Sequence, residues 1–83
     1  MPEVRYENIK KNTNQLFCDV FDDDSIRISE EMTARDIDGW DSLTHVNLIV
    51  AAEKKFNISF STKEVASLRN VGDFLRLIDK KIS

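Results

Sequence analysis

Tyr6, Ile9, Thr13, Leu16, Phe17 and Val20 recur at spacings of three and four. That pattern predicts one face of an amphipathic helix over roughly residues 3–18. Pro2 suits its first turn, where a missing N–H has no partner to lose. From about residue 21 to Asp41 the periodicity fails. Asp22, Asp23, Asp24 and Ser25 are turn formers, because short polar side chains compete for backbone hydrogen bonds. Ile26, Ile28, Met32 and Ile37 are spread along this stretch, so it is expected to be a long connection pinned to a core.

A second helix is predicted from Ser42 to Phe56, with Asn57 as its stop. Nearly every residue between Val46 and Ala52 is apolar, so periodicity alone does not choose the buried face. The stripe His45, Leu48, Ile49, Ala52 and Phe56 has the larger apolar surface and is assigned to the core. The stripe Leu43, Asn47, Val50 and Lys54 is left outside. Ser61-Thr62-Lys63-Glu64 is a capping box that predicts a short helix over about 62–67. Asn70 can cap a last helix, with Asp73 favoured in its first turn by the helix dipole. Val71, Phe74, Leu75, Ile78 and Ile82 give that helix an apolar stripe. The fold class is therefore all-α: a small four-helix bundle of three longer helices and one short one, with a long loop between the first two.

Composition narrows the function. A chain of 83 residues is expected to form one domain over 1–83, with little margin to bury a catalytic cleft. Two glycines and one proline argue against a turn-rich β fold. No stretch has the length of a membrane span or the apolar core of a signal peptide, so a cytoplasmic protein without a membrane partner is expected. Asn57-Ile58-Ser59 matches a glycosylation acceptor and is discounted on the same ground. Cys18 is the only cysteine; it reads as a buried, inert thiol.

The net charge of −3 is unevenly spread. Residues 19–41 hold nine acids against Arg27 and Arg35, whereas residues 42–83 hold seven bases and four acids. No concentrated basic face exists for phosphates, which excludes a nucleic-acid partner. The acidic block is either a solvated loop or a docking zone for a basic protein surface.

The candidate chemistry lies in Gly39-Trp40-Asp41-Ser42-Leu43. Ser42, His45 and Asp41 are the residue types of a hydrolytic triad, but Asp41 adjoins the serine instead of orienting the far imidazole nitrogen. The G-x-S-x-G elbow is also absent. Neither Asp22–Asp24 nor Asp36, Asp38 and Asp41 fits a calcium loop, so no metal site is expected beyond loose cation binding. A negative group on Ser42 would be favoured by the free N–H groups at a helix start. Against that, Ser42 or Asp41 can simply cap the helix, and taken alone the cap is the better account.

Context changes the balance. Residues 36–56, DIDGWDSLTHVNLIVAAEKKF, combine an acidic loop, Gly39, the Asp41-Ser42-Leu43 core, an apolar helix, Glu53 and Phe56. Together with the chain length and bundle periodicity, they make the chain resemble an acyl carrier protein. The resemblance implies a 4′-phosphopantetheine arm on Ser42, placed there by a phosphopantetheinyl transferase, with no catalytic residue in the chain itself. Its partners would be acyl-loading and acyl-processing enzymes, met by a monomer. The implied docking residues are Asp41, Leu43 and Val50, with Asp38, Trp40 and Glu53 beside them. Trp40 either anchors the loop on the bundle or meets a partner. His45 is expected at the core edge, and core residues such as Phe56 would line the space for short acyl chains. Thr44, Asn47, Lys54 and Lys55 dilute the acidic second helix usual in fatty-acid carriers. That points to a specialised pathway, and Asp41 leans away from a peptidyl carrier.

Overall fold

The computed structural model describes residues 2–82. Its elements are four helices: α1 (Pro2–Phe21), α2 (Ser42–Phe56), α3 (Thr62–Ala66) and α4 (Val71–Ile82). They match the predicted all-α bundle of three longer helices and one short one. α1 runs one turn further than its periodicity suggests. Phe21 still packs inward, its ring 5.9 Å from that of Phe17 and 6.2 Å from that of Trp40. Asp22 then stops the helix at φ 52°, a left-handed conformation that short polar side chains tolerate.

The core forms where the stripes of α1, α2 and α4 meet. Ile9, Leu16 and Phe17, Leu48, Ile49 and Ala52, and Val71, Phe74, Leu75 and Ile78 are buried in it. Cys18 is buried as expected. Two expectations at the edges need correction. Ile82 is 40% exposed, because the last turn of α4 outruns the core. Phe56, in the last turn of α2, is only half-buried. Thr13 is fully buried, and its hydroxyl has no hydrogen-bond partner among the described residues.

The long connection is pinned to the core by buried side chains and by hydrogen bonds to α1 and α4. Ile26, Ile28 and Ile37 are buried and Met32 half-buried. Asn14 treats the loop as a neighbouring strand: its side-chain amide donates to the Ile26 carbonyl at 3.1 Å, and its oxygen accepts from the Ile28 N–H at 2.7 Å. The first N–H groups of α4 would otherwise lack partners. Val71 N–H donates to the Met32 carbonyl and Gly72 N–H to the Glu30 carbonyl, both at 2.9 Å. Asn70 caps the same helix by accepting from the Asp73 N–H at 2.8 Å. The predicted capping box at Ser61 and Glu64 is present in both directions. Asn57 ends α2 in the left-handed region at φ 57°.

Candidate functional site

The site is built where the pinned connection turns into α2. Gly39 sits at φ +85°, a conformation that a side chain would strain. This turn delivers Asp41 as the N-cap of α2. The Asp41 carboxylate accepts from the Thr44 N–H at 2.9 Å. The Thr44 hydroxyl lies 2.8 Å from the Gly39 carbonyl and 3.0 Å from Asp41 Oδ1, so it clamps the turn from inside. The Thr44 N–H first, and the Thr44 hydroxyl next, hold the Asp41 carboxyl below the usual aspartate range. A depressed folded value means that the cap is fully effective above the unfolded value of about 3.9 and weakens as pH falls through the lower folded value.

Asp41 therefore does the capping that the sequence left open between two residues. Ser42 is the first residue of α2, exposed, with no hydrogen bond to its hydroxyl among the described residues. The positive end of the helix dipole lies behind it.

An open cavity of about 550 Å³ adjoins Ser42, walled by Trp40, His45, Ile49, Leu68 and Phe74. Phe56 is not part of its lining. It stands almost four turns from Ser42, about 21 Å along the helix, so the expectation that it shelters cargo in this space is corrected.

Trp40 is wedged into the bundle. Its ring meets Phe17 edge-on with centroids 5.3 Å apart, and its indole N–H donates to His45 Nδ1 at 3.2 Å. The loop-anchoring role is thus present in the packing. His45 is half-buried at the core edge. No three carboxylate, histidine or cysteine side chains converge into a metal cluster among the described residues.

Along α2 an apolar stripe faces solvent: Leu43 is 73% exposed, Val46 55% and Val50 42%. Val46 was missed by the sequence reading, which had no means of dividing the apolar run from Val46 to Ala52 between two faces. Asp38 is exposed in the loop. Glu53 is half-buried and commits one carboxylate oxygen to the Phe60 N–H at 2.8 Å, which fixes the chain after α2.

A family model described as "Phosphopantetheine attachment site" matches residues 14–78. A solved structure, the solution NMR structure of a holo acyl carrier protein from Geobacter metallireducens, is 49% identical. That similarity covers 87% of this chain and 83% of the other, with a TM-score of 0.83. The chain belongs to the acyl carrier protein family. Acyl carrier proteins use a covalent 4′-phosphopantetheine and are not enzymes; they hold acyl groups for modifying and acyl-processing enzymes. The residues here fit such a group: an exposed, unengaged hydroxyl at a helix N-terminus, beside a cavity with apolar walls. Among the described residues no helix is long and apolar enough to cross a membrane.

Proposed function

We infer that Ser42 is the attachment point of the 4′-phosphopantetheine arm and that the chain works as one stand-alone carrier. The observation that carries this reading is the division of labour at the start of α2. Asp41 satisfies the helix end, so the Ser42 hydroxyl is left exposed and unengaged. When bound, the arm supplies a terminal thiol that holds acyl groups as thioesters. The chain's own residues provide the rest. The helix N-terminus favours the negative charge attached to Ser42. The apolar walls of the neighbouring cavity exclude water from short cargo.

Docking falls to the exposed stripe of α2 and the loop before it. Leu43, Val46 and Val50 offer apolar contacts, with Asp41 and Asp38 at the Ser42 end. Glu53 contributes only through the carboxylate oxygen not used by Phe60. Trp40 acts from beneath, holding the loop in shape for a partner. Lys54 and Lys55 are exposed in the last turn of α2, whereas its start is flanked by acids, Asp41 as the cap and Asp38 in the loop before it. That polarity supports dedicated partners in a specialised pathway, a cytoplasmic phosphopantetheinyl transferase among them. A small charged patch gives weak, steered, reversible contacts, as a shuttle between enzymes requires.

Incubation with coenzyme A and a phosphopantetheinyl transferase, followed by intact mass measurement, tests the assignment. The wild-type chain gains one phosphopantetheine and Ser42→Ala gains none. An adduct that persists in Ser42→Ala overturns it.

A further inference from the structure

This inference rests on Ser42 bearing the arm. Part of the hydrogen-bonding capacity of the helix end behind Ser42 is already committed. The Thr44 N–H is taken by the Asp41 carboxylate and the His45 N–H by the Asp41 carbonyl. Two other polar side chains around the cavity are partly committed, Arg69 keeping its Nη donors and Asn70 its side-chain NH2. Arg69 directs its Nε to Asp73 at 3.1 Å, and Asn70 spends its side-chain oxygen on the Asp73 N–H.

His45 is different. An indole N–H can only donate, so the Trp40 bond at 3.2 Å makes His45 Nδ1 an acceptor. The neutral ring must then carry its proton on Nε2. That Nε2–H has no partner among the described residues and is not sealed in the core. The imidazole is held in place by Trp40, whose ring plane lies within 20° of its own and which is itself lodged against Phe17. Ser42 and His45 line the same cavity. Residues three apart on a helix are neighbours, with Cβ atoms about 5–6 Å apart.

We propose that His45 Nε2–H donates a hydrogen bond to the phosphodiester on Ser42, with Trp40 setting the tautomer that makes the donor available. The ligand class is a phosphate diester monoanion, whose charge strengthens such a bond. His45 is a positioning residue: it restrains the root of the arm against the face of α2 that borders the cavity. Trp40 is the only tryptophan and His45 the only histidine, so both report without interference.

The test compares apo and holo forms of the full chain by NMR, after mass measurement has established loading. Imidazole ¹⁵N shifts are expected to show the Nε2–H tautomer in both forms. The Nε2–H proton, lost to exchange with water in the apo form, becomes observable in the holo form. The ³¹P signal of the arm moves in His45→Phe and stays near the wild-type position in His45→Gln, which keeps both an acceptor for Trp40 and a donor for the phosphate. A holo protein whose ³¹P signal is the same in wild type, His45→Phe and His45→Gln overturns this proposal alone. So does an Nδ1–H tautomer. Failure to load the wild-type chain overturns the Ser42 assignment, and this proposal with it.

Discussion

At the scale of single residues, Tyr6 ties the long connection to α1. Its hydroxyl donates to the Glu30 carboxylate at 2.7 Å, and Glu30 lies 3.6 Å from the guanidinium of Arg76 on α4. Burial, and then the Glu30 hydrogen bond, push the phenol up from 10.0 to about 12. A raised folded value means that this contact stabilises fully below the unfolded value of about 10 and is lost as pH climbs through the folded one. Tyr6 is the only tyrosine, so tyrosinate absorbance reads it directly. The native protein should titrate near 12. Glu30→Gln should bring the midpoint down but not to the ordinary value, because burial remains. A native midpoint near 10 would show that the contact does not form in solution.

At the scale of elements, the connection from Asp22 to Asp41 is the part that most departs from expectation for a loop. Its hold depends on Asn14, which pairs with backbone groups on both sides of Arg27. Asn14→Ala leaves the part-buried Ile28 N–H without its partner, whereas the Ile26 carbonyl keeps Arg27 Nη1 at 2.8 Å; the expected loss is about 1–3 kcal/mol, to be read from chemical unfolding. The helices themselves were legible because their apolar stripes and caps are local: Asn57, the Ser61–Glu64 box and Asn70 all act within a few residues of where they stand. The Asn14 pins were not legible, since their partners lie 12 and 14 residues away and no spacing rule links them. The far end of α1 was hidden for a similar reason. Its last turn carries the contact of Phe21 with Trp40, which lies outside α1 and which no spacing rule gives. At the site, the Asp-Ser-Leu motif pointed to Ser42, but the choice of Asp41 as cap needed coordinates. So did the bond between Trp40 and His45, because either ring had another role open to it.

At the scale of the whole molecule, charge and core are arranged around α2. The acids of the connection gather at its start and Lys54 and Lys55 at its end, about 22 Å away for a 15-residue helix. That is more than twice the screening length at physiological salt, about 8 Å, so each end presents its own field to an approaching enzyme. Beneath it, Phe17 binds the halves together by touching Phe21, Trp40 and Phe74. The stranded hydroxyl of Thr13 lies within this interior. Thr13→Val keeps the shape and removes the thirst, and should raise the unfolding free energy by about 1 kcal/mol. That gain, read from chemical unfolding against the wild type, would measure what one buried hydroxyl costs the core that α1, α2 and α4 share.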